Sequence, residues 1–154
     1  MEMAAPVVAL LMGSKSDLKK VLPVEEALGK MGVKVITAAL SAHRQPEKLR
    51  EFVEDAPSRG VEVFIAAAGK AAHLPGVVAS MTTLPVIGLP ISSPDLGGMD
   101  ALLSMVQMPR GVPVATVAID GAENAALLAC SILALKYGKV AEALKAYREE
   151  MARG

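Results

Sequence analysis

The run Val7-Val8-Ala9-Leu10-Leu11-Met12, broken at once by Gly13-Ser14-Lys15-Ser16-Asp17, decides the fold. Six apolar residues without alternation read as a strand covered on both faces. A glycine, two hydroxyls and a carboxylate then read as the turn into a helix. Downstream, Leu18, Val21, Leu22, Ala27, Leu28 and Met31 recur on one helical face over 17–31, and Gly32 stops it. The pattern repeats. Further strands are expected at 33–40, 61–67, 84–89 and 114–119. Helices are expected from Pro46, a natural first helical residue, and at 75–81, 98–107 and 122–137. The helix 122–137 is apolar nearly all round, which predicts burial on several sides. After Gly138, Val140, Leu144, Tyr147 and Met151 form a stripe on a separate C-terminal helix, 138–154. It must pack on the chain's own core or on a neighbouring subunit. Buried strands interleaved with helices make an α/β fold: a parallel sheet with helices on both faces, plus the C-terminal helix. With no repeat, linker or low-complexity tract, residues 1–154 are expected to form a single domain.

Composition narrows the function. Lys and Arg number 16 and Asp and Glu 16, so no basic surplus is available for a nucleic-acid backbone. Hydrophobic residues make up 53% of the chain and charged residues 21%, more apolar material than a lone domain of 154 residues easily hides. No stretch reaches the roughly 18–20 apolar residues of a membrane span. The opening residues MEMAAPVV lack the basic start of a secretory leader. Self-association is the remaining cover, so a homo-oligomer is expected, with no nucleic acid and no membrane as partner. The one cysteine, Cys130, lies in an apolar stretch, reads as a buried and inert thiol, and fits a cytoplasmic location.

In open parallel sheets, ligands bind beyond the carboxyl ends of the strands, where strand order reverses. Three post-strand loops therefore matter. In the first, Ser14, Ser16 and the free amides of a helix start suit phosphate, and Asp17 suits ribose hydroxyls; simple helix capping is the competing reading. In the second, Ser41-Ala42-His43-Arg44, the arginine fork suits phosphate and the imidazole can move a proton. A surface ion pair for Arg44 and a backbone-satisfied His43 are the competing readings. In the third, Ala68-Gly69-Lys70-Ala71-Ala72-His73-Leu74-Pro75-Gly76, small residues allow close approach of a flat ligand. The chain's two histidines both fall in these loops. The segments 92–98 and 107–113 close a pocket or simply turn the chain, turning being the default. Metal-ligand spacing, a GxSxG elbow, a dinucleotide fingerprint and a phosphate-binding GxxxxGK[ST] loop are all missing. The residues point to a phosphorylated small molecule and proton transfer without a cofactor. They name no substrate.

MGSKSD, SAHRQPE, AAHLPG, LPVIGLP, LLSMVQMPRGVPVATVAI and NAALLA, in that order, resemble the N5-carboxyaminoimidazole ribonucleotide mutase family, the catalytic subunit of phosphoribosylaminoimidazole carboxylase. The resemblance implies a three-layer flavodoxin-like fold, a cytoplasmic homo-octamer with sites between subunits, and no metal, biotin or ATP. It implies de novo purine biosynthesis: N5-carboxyaminoimidazole ribonucleotide is converted to the 4-carboxy isomer. By the same resemblance Ser14, Asp17 and Arg44 bind the ribose phosphate, and Ser41 and Ala42 line the site. His43 transfers the proton, and Gly69, Lys70, Ala72, His73 and Leu74 form the loop around the carboxylated imidazole. Lys70 departs from the pattern, standing where the mutases usually have glycine. A sister branch that fixes free carbon dioxide has a cation there but SAHK in place of SAHR. Direct carboxylation of aminoimidazole ribonucleotide is thus one alternative. A non-catalytic nucleotide-sensing module is another; a carboxylating enzyme of pyridine nucleotides is a third, for which the chain lacks a further domain.

Overall fold

A computed structural model describes residues 3–154; Met1 and Glu2, with which the expected domain and the opening MEMAAPVV begin, lie outside the described residues. The elements run β1 (Val7–Met12), α1 (Leu18–Lys30), β2 (Lys34–Ala39), α2 (Pro46–Asp55), β3 (Val61–Gly69) and α3 (Leu74–Met81). They continue with β4 (Val86–Ile91), α4 (Met99–Val106), β5 (Ala115–Thr116), α5 (Ala122–Leu133) and α6 (Gly138–Ala152). All pairings are parallel and the sheet order is β2-β1-β3-β4-β5, which is the flavodoxin-like arrangement.

Alternate residues of each inner strand feed two separate cores. Val8, Leu10 and Met12 of β1 and Val63, Ile65 and Ala67 of β3 pack with Val21, Val24 and Leu28 of α1 and with Ala125, Ala129 and Cys130 of α5. Ala9, Leu11, Phe64 and Ala66 turn the other way, onto Leu49 and Val53 of α2, Val78 of α3 and Met105 of α4. Helices cover both faces, giving the three layers expected. Of the C-terminal stripe, Val140, Leu144 and Tyr147 pack on the first core, whereas Met151 stays exposed. Burial pushes the Cys130 thiol up to about 11, in keeping with an inert side chain.

Three elements depart most from the sequence pattern. The expected strand 84–89 is shifted to 86–91, and the expected strand 114–119 shrinks to Ala115–Thr116. Pro90 explains the shortening: its carbonyl accepts from Asp120 N–H, but it has no N–H to donate toward the β5 edge. The helix expected to reach 137 ends at Leu133. Beyond it the backbone tightens, Leu135 N–H donating to the Ile132 carbonyl and Lys136 N–H to that of Leu133, and the Lys136 and Tyr137 side chains both donate to Glu62 at the start of β3.

Candidate active site

Strand order reverses at β1, which lies between β2 and β3. The loops after these three strands, with the segment after β4, enclose a cavity of about 530 Å3 at the carboxyl edge of the sheet. Ser14, Asp17, Ser41, Ala42, His43, Arg44, Gly69, Lys70, His73 and Leu74 all line it. Ala72 does not. Its side chain is fully buried in the core beneath the loop, while its N–H donates to the Lys70 carbonyl at 2.8 Å. Its contribution is to the shape of the loop.

Each loop is held locally. Ser14 caps the single turn of 3-10 helix at Lys15–Asp17, its Oγ accepting from Ser16 N–H at 3.3 Å and lying 2.9 Å from Ser16 Oγ. Capping and cavity lining therefore coincide in one residue. Burial raises the Asp17 carboxyl above its ordinary range, against the lowering effect of Lys20 and of a backbone bond at Ser14. The second loop is closed by Arg44 N–H donating to Ser41 Oγ at 3.1 Å and by Ser41 N–H donating to Gln45 Oε1 at 3.3 Å. Among the described residues no carboxylate pairs with Arg44. Its fork faces the cavity free. In the third loop Gly69 allows close passage against β4, since a Cβ there would stand 3.2 Å from the Ile91 carbonyl oxygen.

The two histidines meet. His43 Nε2 lies 2.8 Å from His73 Nδ1, with the rings edge to face at 5.0 Å between centroids. Because β1 separates β2 from β3, this bond arches over the end of β1. One nitrogen must carry the proton and the other must be bare, so the pair shares a proton along a defined line. That leaves each imidazole one further nitrogen for a ligand.

Lys70 is exposed but ion-paired. Its Nζ meets Asp95 Oδ2 at 2.7 Å, and that hydrogen bond and charge hold the ammonium above its ordinary pKa. Its φ of 54° lies in the region that favours glycine. The 92–98 segment, whose default reading was a turn, also supplies lining: Ser92, Ser93 and Pro94 face the cavity, as does Lys20 from α1. The Ser93 hydroxyl is buried without a partner among the described residues. A serine pair directly after β4, at the same edge as the other loops, was the available signal. Lys20 gave none, because a lysine on an amphipathic helix reads as solvated. Among the described residues no three His, Cys, Asp or Glu side chains cluster closely enough to hold a metal ion, and no helix is long and apolar enough to cross a membrane.

A parallel flavodoxin-like sheet carrying a polar cavity at its strand-order reversal, with a free arginine and a hydrogen-bonded imidazole pair, defines a small-molecule enzyme of the α/β class. Residues 7–154 match the AIR carboxylase family model, and the chain belongs to that family. It is 55% identical over 148 residues to the N5-carboxyaminoimidazole ribonucleotide mutase of Pyrococcus abyssi, covering 96% of this chain and 85% of that protein. To the protein of the same name from Saccharolobus solfataricus it is 54% identical over 146 residues, covering 95% and 92%. The crystal structure of Treponema denticola PurE superposes with a TM-score of 0.89 at 30% identity, covering 96% of this chain and 92% of that one.

Proposed function

We propose that the chain converts N5-carboxyaminoimidazole ribonucleotide to 4-carboxyaminoimidazole ribonucleotide as a mutase of de novo purine biosynthesis. The observation that carries this reading is the His43–His73 bond inside a cavity that also presents the unpaired Arg44. Family membership supplies the substrate class.

The chemistry balances with one acid–base group. The carbamate C–N bond breaks, its electron pair stays on nitrogen, and nitrogen takes a proton. The freed carbon dioxide is attacked by C4, and the proton on C4 then leaves. One proton is delivered and one recovered, so His43 ends as it began and no cofactor is consumed. His73, at 2.8 Å, fixes the ring and its protonated nitrogen while lining the imidazole side of the site. Arg44 faces the phosphate with a charge-assisted fork, and Ser14 and Asp17 face the phosphate and ribose. Ser41, Ala42, Gly69 and Leu74 complete the wall, and Ala72 supports it from below. Confinement of carbon dioxide between the two steps makes recapture effectively intramolecular.

That confinement needs a cover. His43, Arg44 and His73 are exposed in the single chain. Just beyond Asp95, Leu96, Met99, Leu103 and Val106 form a stripe at spacings of three, four and three, between 48% and 65% exposed. A second copy of the chain on this stripe would hide the apolar excess and close the cavity together. We read the protein as a cytoplasmic homo-oligomer, an octamer by family likeness, in which residues 1–154 act as one unit.

The direct carboxylase reading rested on a cation at position 70, and Asp95 already engages that cation. Purified protein offered the carbamate, or aminoimidazole ribonucleotide with bicarbonate, separates the two. Turnover of the carbamate without added bicarbonate is expected; turnover of aminoimidazole ribonucleotide alone would reverse the assignment.

A further inference from the structure

Among the described residues, the non-glycine residues with φ in the left-handed region are Lys70 (φ 54°) and Asp120 (φ 58°), and both act on the same short segment. Lys70 Nζ holds Asp95 Oδ2 at 2.7 Å. At the segment's other end, Ser92 N–H donates to Asp120 Oδ1 at 2.9 Å and the Ser92 hydroxyl donates to Asp120 Oδ2. Lys20 Nζ donates to the Ser92 carbonyl at 3.0 Å and to its hydroxyl at 2.7 Å. Ser92–Asp95 is thus tied at its start to Lys20 of α1 and to Asp120 in the turn leading into α5, and at its end to the loop after β3. Between the ties lie Ser93 and Pro94 at the cavity wall, Ser93 with its hydroxyl unpartnered.

Stability does not account for Lys70. A side chain at positive φ is unfavourable, aspartate being better tolerated there than lysine. An exposed ion pair returns little in exchange. Glycine would serve the backbone better. Strain retained at the rim of a ligand cavity marks a functional constraint, and here both strained residues converge on one wall.

We propose that Ser92–Asp95 is a strap forming the fourth wall of the substrate cavity, and that the Lys70–Asp95 pair holds this wall against the bound ribonucleotide. Lys70 and Asp95 act through the strap and touch no reacting atom. The proposal rests on the reading of the cavity as the ribonucleotide site, and its test has one arm independent of that reading.

Amide hydrogen exchange over 92–98 and steady-state kinetics with N5-carboxyaminoimidazole ribonucleotide are to be measured on wild type, Asp95→Asn, Lys70→Asp and the double variant Lys70→Asp with Asp95→Lys. Loss of the tie is expected to speed exchange of the segment about tenfold in both single variants. KM should rise about five- to tenfold, with kcat of Asp95→Asn within about twofold of wild type, because the chemistry is untouched while the wall is loosened. The double variant, with the charges exchanged and aspartate in the strained position, should recover most of both losses. Unchanged exchange and unchanged KM in Asp95→Asn would overturn the strap, as would single-variant losses that the charge exchange leaves uncorrected. Altered exchange in a protein that turns over no carbamate would keep the tie but sink both the substrate reading and the positioning role.

Discussion

The two ends of the sheet treat their polar groups in opposite ways. At the amino end, Glu62 receives the Tyr137 hydroxyl and the Lys136 ammonium, the latter at 2.9 Å. Burial works against its charge, but those two donors outweigh it and hold the carboxyl below its ordinary range. At the carboxyl end, Asp17 is raised by burial with too little compensation. Among the described residues Arg44 has no carboxylate partner, the buried Ser93 hydroxyl has no partner, and the two histidines have only each other among side chains. Polar groups that satisfy one another stabilise a fold; polar groups left facing a shared cavity await a ligand. Asp120 is the informative exception at the carboxyl end. Its burial is also outweighed, here by bonds from Ser92, and it holds the strap where Asp17 meets the cavity.

The contrast is broken most severely at His43. His43→Ala should lower kcat by about two to four orders of magnitude, the usual worth of a positioned acid–base group, while substrate affinity and thermal midpoint stay close to wild type. Near-normal turnover would remove its role. Arg44→Ala comes next. Loss of a charge-assisted phosphate contact is worth about 10- to 100-fold in KM, with a smaller change in kcat. A KM unchanged by this substitution would place the phosphate elsewhere.

The smallest effects test the sign of the contrast. Above its ordinary value of 3.8 the unfolded chain releases the Asp17 proton more readily than the folded one, so this group lowers stability as pH rises through its folded pKa. Asp17→Asn should therefore gain slightly at neutral pH, by less than about 1 kcal/mol once solvent screening is counted, and the gain should vanish near pH 3. Glu62 has the opposite sign. Its contribution is present above 4.5 and is lost as pH falls through the lowered folded pKa. Glu62→Gln should lose stability at neutral pH and converge with wild type in acid, leaving KM unchanged. Chemical denaturation of both variants between pH 3 and 7 checks the pair; shifts of the same sign would refute the contrast.

Much of this was legible before the fold was seen, where burial alone decided the outcome. β1 and β3 are continuous apolar runs covered on both faces, and their ends delivered the loops holding Ser14 and His73 to one edge. What escaped the pattern depends on partners far away in sequence. Lys20 meets Ser92 across 72 residues, and Tyr137, just beyond the end of α5, meets Glu62 across 75. β5 was overextended because the missing donor sits on its neighbour, at Pro90. Ala72 was assigned to the cavity with its loop, yet packing turned its methyl into the core. The histidine pair lay between these cases: each residue could be nominated from its loop, but their bond required the strand order.

Carbon dioxide held in one closed cavity while His43 returns a proton is the claim most directly open to measurement. Substrate carrying 13C in its carbamate is to be turned over by wild-type protein in excess unlabelled bicarbonate, and the product carboxylate analysed by mass. Retention of most of the label is the expected result; complete washout to the bicarbonate pool would contradict transfer within the site.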